Sequence, residues 1–215
     1  MALPHGGGVN LLNDIVRQPN RYAPFMDRLR ALFSDMDREY GRVAARYGFY
    51  CQGCEENCCL TRFHHHTLAE YLYLWNGFRE LPEPERQSVR RRAENVIRQT
   101  AELENKEEPV RIMCPVNVDG WCRLYPRRPM ICRLHGLAHE LRRPGGGAVR
   151  GPGCDLFTWT AGDKPYIPFD RTPFYTEMAR LEQSLRASLP ASERVRMTVA
   201  EMIVRFPAGA ASYRS

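Results

Sequence analysis

Eight cysteines in a chain of 215 residues set the strongest limit on this fold, because they are not scattered. Cys51, Cys54, Cys58 and Cys59 form one knot. Cys114, Cys122, Cys132 and Cys154 follow after 54 residues that contain no cysteine. Met1 to Gly8 have neither the basic start nor the apolar stretch of a secretory signal. A reducing, cytoplasmic setting is therefore expected, and thiols do not persist there as disulfides. Thiols that segregate in this way read as ligands of a metal centre rather than as inert core residues.

The spacing sharpens the expectation. Cys51-x2-Cys54 lets two thiolates grip one ion from a turn, and Gly53 permits the tight backbone. Soft thiolates select zinc or iron–sulfur centres over magnesium or calcium. The side chains of the vicinal pair Cys58-Cys59 diverge, so the two rarely serve one tetrahedral ion. Three arrangements stay open: two metal sites with shared segments, one polynuclear centre, or one cysteine that is structural. Two zinc ions with eight thiolates carry a formal charge near about −4, and one four-iron cubane with four thiolates about −2. Either needs cationic or N–H neighbours. Arg62, Arg123, Arg128 and Arg133 lie within a few residues of ligand candidates, and Arg133 directly follows Cys132. His64-His65-His66 and His135 are secondary ligand candidates. His135 and His139, four apart, would share one face if the segment from Pro129 to Leu141 is helical, and His135 would be a ligand or a base.

The rest of the chain reads as helical. Phe25, Leu29, Phe33, Met36, Tyr40, Val43 and Tyr47 recur every three or four residues, which predicts an amphipathic helix ended by Gly48. Thr67-x-x-Glu70 is a capping box before an apolar stripe of Leu68, Tyr71, Leu72, Trp75 and Phe78. Pro82 and Pro84 open a further helix, closed by Pro109. Asp119-Gly120, flanked by Val116 to Val118 and Trp121 to Leu124, predicts a two-residue hairpin with Cys114 and Cys122 on opposite arms. Residues 161–171 read as a Pro-rich linker. Thr172-Pro173 caps a helix, and Ser192 starts another through Val195, Val199 and Phe206. No apolar run approaches the roughly eighteen residues of a membrane span. The net charge of +6 is carried almost entirely by arginine, with acidic residues interleaved, so no long one-sign face marks a nucleic-acid surface.

The string Cys122-Arg123-Leu124-Tyr125-Pro126-Arg127-Arg128-Pro129-Met130-Ile131-Cys132-Arg133 has the pattern C-x-[I/L]-Y-x-x-R-P-x-x-C-R. It follows Cys114-Pro115 and an upstream knot with a CC doublet. In these features the chain resembles the YkgJ-type cysteine-cluster family, the zinc- or iron-chelating CxxCxxCC domain, over residues 48–155. The resemblance implies that Cys51, Cys54, Cys58, Cys59, Cys114, Cys122 and Cys132 are metal ligands, with Cys154 the trailing cysteine. It implies metal binding without a general reaction. One departure stands out: the knot is C-x2-C-x3-C-C, one residue longer than the usual C-x2-C-x2-C-C.

The expected architecture is mainly α, with helices around a cysteine-rich metal-binding core and one small β-hairpin. Residues 1–47 form a tail and amphipathic helix, 48–160 the metal-binding domain, and 161–215 a linker and a C-terminal helical pair. The expected function is binding of an iron–sulfur cluster or Zn2+, iron being preferred because the CC doublet and eight thiols suit polynuclear chemistry. The cysteines are the ligands; Arg128, Arg133 and His135 stand behind them. Two alternatives are carried: an iron–sulfur enzyme that modifies a protein side chain, as in the related flagellin lysine methylases, and a zinc-stabilised nucleic-acid-binding module. A protein partner or substrate fits the first; nucleic acid and membrane are not expected. The C-x3-C-x2-C run of radical S-adenosylmethionine enzymes, a Gly-rich nucleotide turn after a strand and a phosphate-binding loop are all missing.

Overall fold

The computed structural model describes residues 19–51, 58–189 and 194–207. Helix α1 (Pro19–Tyr47) buries Leu29, Phe33, Met36, Val43 and Tyr47 of the predicted stripe; Phe25 and Tyr40 are only partly buried, and Tyr22 and Met26 join the buried side. Gly48 stops it with φ +62°. Its N–H bonds Ala45 O at 3.0 Å and the Phe49 N–H bonds Ala44 O at 2.9 Å, the paired closure of a Schellman motif. The chain then turns directly into the first cysteine segment.

Helix α2 (Leu68–Glu80) is buried almost all round, so it is the central element of the core. Trp75, Tyr71 and Phe78 pack there against Phe206, with ring centroids 5.1–5.2 Å from it. Packing, not cofactor binding, accounts for these aromatics and for Phe33, whose ring meets Tyr73 edge-on at 5.1 Å. The free N–H groups at the start of α2 are satisfied from two sides. The Thr67 hydroxyl accepts from Glu70 N–H, and the Glu182 carboxylate accepts from Leu68 and Ala69 N–H at 2.8 and 3.0 Å. Glu182 belongs to α6 (Thr172–Ala187), which lies along α1 and α2.

Helix α3 (Glu83–Asn105) buries Val89 and Ala93 and packs along α7 (Val199–Arg205). Arg90 on α3 donates to Val204 O and Phe206 O at 3.2 and 3.0 Å, capping the end of α7. Helix α7 begins at Val199 under a complete Thr198–Glu201 capping box, later than the sequence suggested. Ser192 lies outside the described residues, and Met197 is extended, exchanging two backbone bonds with His65. No helix among the described residues is long and apolar enough to cross a membrane.

The predicted hairpin forms as β1 (Asn117–Val118) and β2 (Trp121–Cys122), with Asn117 opposite Cys122. Asp119 and Gly120 both have positive φ, 52° and 84°, as a two-residue turn requires. Cys114 is not on an arm; it sits in the turn before β1, its carbonyl accepting from Asn117 N–H at 3.0 Å.

The segment after Pro129 departs from expectation. Helix α4 (Met130–Leu134) lasts only five residues. The chain then breaks at Gly136, whose φ of +120° no helix accommodates. A second antiparallel pair follows, β3 (His139–Arg142) with β4 (Ala148–Gly151). Among the described residues there are therefore two small sheets, not one hairpin, and His135 and His139 share no helical face. Helix α5 (Asp155–Ala161) comes next.

Residues 161–171 are a strap fastened to the body rather than a loose linker. Lys164 Nζ and Ile167 N–H donate to the Tyr47 carbonyl and hydroxyl at 2.5 and 2.6 Å. Phe169 is fully buried, and the Phe169 carbonyl and Arg171 N–H bond the backbone of Glu140, each at 3.0 Å. These bonds belong to partners far away in sequence, so proline content alone reads the segment as free.

Candidate metal centre

Four separate stretches of chain bring cysteines to one cavity of about 610 Å³. Cys51 arrives four residues after the end of α1. Cys58 and Cys59 sit on a short 3-10 turn, Cys58–Leu60. Cys114 and Cys122 come from the approach to β1 and from β2, and Cys132 from the middle of α4. All six line the cavity. Val96, Ile97 and Ala101 of α3, with Val110 and Ile112, add apolar residues to its lining, beside Thr100 and Glu104. Cys154 is not among the lining residues; it caps α5, its sulfur accepting the Phe157 N–H at 3.4 Å. Cys54 lies outside the described residues. The seven described cysteines are all free thiols.

The thiols ring the cavity without meeting in it. Among the described residues, no three Cys, His, Asp or Glu side chains are close enough together to hold one metal ion. The donor chemistry suits a soft cation, and burial keeps most of these thiols protonated. Burial pushes Cys114 well up, Cys122 up to about 11 and Cys132 up to about 12, and the neighbouring sulfurs add to each shift. Cys58 also rises, chiefly because its thiol donates to Cys59. Cys59 is the exception: that hydrogen bond, then Asn117 and the charge of Arg128, bring it down to about 6. One thiolate is therefore stable here unaided. A wall of several needs added positive charge, which a bound metal ion supplies.

Of the residues expected behind the ligands, Arg128 is the cation that bears directly on the sulfurs. It favours the ionised forms of Cys59, Cys122 and Cys132. It is held flat over the Tyr125 ring at 3.6 Å, with Asp37 3.6 Å from its guanidinium. Arg133 also lines the cavity, but its guanidinium is engaged elsewhere. It donates to Arg128 O at 2.9 Å and Pro126 O at 2.6 Å, pairs with Asp37 and covers the Phe33 ring. Arg133 thus fixes the loop that presents Arg128. His135 lines the cavity against Phe63, its ring 5.2 Å away; burial and then Arg171 keep it neutral, the form that can ligate a metal. His139 lies on β3, with Nδ1 3.4 Å from Leu137 O.

Three supporting residues escaped the sequence reading. Glu70 is buried, and burial raises its pKa. Its carboxylate accepts from the Thr67 hydroxyl at 2.6 Å and from Met130 N–H at 2.8 Å, tying the start of α4, and so Cys132, to α2. The capping box was the available signal, but not its second partner. Asn117 accepts from Gly120 N–H and supports Cys59. Tyr40, read only as part of a helical stripe, lines the cavity and meets Gly136: a Cβ there would stand 2.5 Å from its hydroxyl. Within the histidine run, His65 is the buried member, with Nδ1 3.9 Å from Glu70 Oε1.

Comparison with known proteins finds no matching family model, no matching curated protein and no matching solved structure.

Proposed function

We propose that this protein binds a thiolate-ligated metal centre, an iron–sulfur cluster in preference to zinc, in the cavity between α1, α3, α4 and the β1–β2 hairpin. The observation that carries this reading is the convergence of six described cysteines, from four stretches of chain, on one cavity. The motif resemblance to the YkgJ-type cysteine-cluster family supports the same reading. Cys51, Cys58, Cys59, Cys114, Cys122 and Cys132 would supply thiolates. Arg128 and the backbone N–H groups of Val116 and Leu124, which favour ionised Cys114 and Cys122, would offset their charge. A bound cluster would add redox or Lewis-acid capacity, and a zinc ion chiefly cross-linking of the segments.

Metal and acid-labile sulfide analysis of protein purified without oxygen, with a visible spectrum, tests this. Iron with matching sulfide and a broad brown absorption is the expected result. Stoichiometric colourless zinc without sulfide would select the zinc version. Absence of either metal would overturn the proposal.

A second reading, an iron–sulfur enzyme acting on a protein side chain, draws support from the apolar residues that share the cavity with the thiols. Calorimetric binding of S-adenosylmethionine would support its methylase form; no binding would count against it. The nucleic-acid reading has less support, because Arg30, Arg38, Arg42 and Arg86 each pair with an acid three residues away.

A further inference from the structure

His65 is held where its side chain has nothing to bond. Its backbone exchanges two hydrogen bonds with Met197, at 2.8 and 3.1 Å, which fixes the residue against the approach to α7. It is 2% exposed and lines the cavity, yet neither ring nitrogen has a hydrogen-bond partner. Nδ1 stands 3.9 Å from Glu70 Oε1, beyond hydrogen-bond reach, and both Glu70 oxygens are already engaged, by Met130 N–H and the Thr67 hydroxyl. A neutral imidazole carries one donor and one acceptor, and burying both idle is costly. Other polar groups of the lining are satisfied: the Thr198 hydroxyl bonds Glu201 at 2.9 Å, and Glu104 pairs with Arg62.

The surroundings limit what such a group can meet. Leu74, Val96, Ile97 and Val199 share the lining with His65, and the last three come from α3 and α7, which pack along each other. These neighbours suit an apolar body. Trp121 and Tyr125 also line the cavity but are 69% and 55% exposed, so they mark its mouth, and rings at an entrance suit a ring-bearing guest. A metal ion would lack donors beside His65: among the described residues, no three Cys, His, Asp or Glu side chains are close enough to hold one. An anionic head would meet a neutral imidazole with the Glu70 carboxyl behind it. A hydroxyl, which both donates and accepts, suits either ring nitrogen.

We propose that the cavity binds a neutral, largely apolar molecule of the phenol class, its hydroxyl hydrogen-bonded to the His65 imidazole and its ring against Val96, Ile97 and Val199. The cavity volume of about 610 Å³ falls within the ordinary range for small-molecule sites. The assignment uses none of the cysteines, so it stands apart from the metal-binding proposal. It gives the buried histidine of the His64-His65-His66 run a purpose that neither packing nor the capping box of α2 supplies.

The test is calorimetric titration of the full chain, as purified, with thymol and with para-cymene, the same hydrocarbon without the hydroxyl. One thymol per chain is expected, bound about five- to tenfold more tightly than para-cymene, the gain from one buried hydrogen bond. In His65→Leu, with folding confirmed by circular dichroism, thymol should fall to the affinity of para-cymene while para-cymene binds as before. Ile97→Trp, which fills the apolar part of the lining, should lose both. The wild type gives an answer even if the variants do not fold: the ring-nitrogen resonances of His65 should move with thymol and not with para-cymene. No thymol binding to the folded wild type, as for a site that holds only water, would overturn the proposal. So would equal affinity for the two probes, or a preference for thymol that survives in His65→Leu. Metal analysis of the same preparation decides the metal-binding proposal separately.

Discussion

The core around α2 is buried, whereas the thiol wall is half-buried with Cys51 exposed, and the two differ in how they are held. Around α2, Glu182 satisfies the helix N-terminus, Glu70 bonds Thr67 and Met130, and Trp75, Phe78 and Phe206 fill the interior. That region is packed shut, with Trp75 Nε1 left without a hydrogen-bond partner among the described residues. Along the thiol wall, burial and neighbouring sulfurs oppose ionisation of Cys114, Cys122 and Cys132, and the Cys58–Cys59 pair is the exception. On the proposed reading, folding and metal binding would fall to different parts of one small molecule.

Replacing Trp75 with Ala strikes the packed region hardest. A loss of about 3–5 kcal/mol is expected in urea unfolding, equal with and without metal. A loss confined to the metal-loaded protein would erase the contrast. His65 gives the next effect. Burial lowers its pKa to about 4, against 6.5 for a free imidazole, with smaller contributions from His66 and His64. The unfolded chain therefore binds more protons between those values. The His65 contribution is intact above pH 6.5 and falls by about 3 kcal/mol as pH drops to 4. Glu70, raised by burial, acts with the opposite sign at the acid end. The measurement is accordingly the pH dependence of wild type minus that of His65→Leu. A flat difference would show that the imidazole titrates freely.

Glu70→Ala should cost about 2–3 kcal/mol, by leaving the Met130 N–H without its acceptor, and Glu70→Gln less, because its carbonyl can still accept. Chemical denaturation of both variants checks the order. Thr198→Ala, which opens the capping box of α7, should cost about 1 kcal/mol by the same assay. The smallest effect is the most telling. Cys132→Ser in metal-free protein should change stability by less than about 1 kcal/mol, since the native group is a neutral thiol that a hydroxyl replaces closely in size. In the loaded protein the same change should remove metal. A large loss in the metal-free form would make Cys132 part of the packed core.

Much of the scaffold was legible because its signals are local. The stripe from Phe25 to Tyr47 and the Asp119-Gly120 turn need no distant partner to be understood. The β3–β4 pair was not, since the break at Gly136 depends on Tyr40 from α1 occupying the place of a side chain. The strap was hidden for the same reason: Phe169 and Arg171 are held by Glu140, and Ile167 by Tyr47, neither of them adjacent in sequence. At the candidate site, residue type and spacing singled out the cysteines and Arg128. Glu70, Asn117 and Tyr40 matter through contacts that only the folded chain creates.

Tyr47 deserves a last thought as a clasp. It receives Lys164 on its carbonyl and Ile167 on its hydroxyl, the latter 120 residues away. Every cysteine falls between those fastening points. The whole thiol-bearing segment is thus a loop whose ends are joined by the protein itself. Closing a long loop carries an entropic cost that grows only slowly with length, and here the fold itself meets it. On the proposed reading, a metal would have only to draw together short stretches inside a ring already shut, and the strap would help to set its affinity.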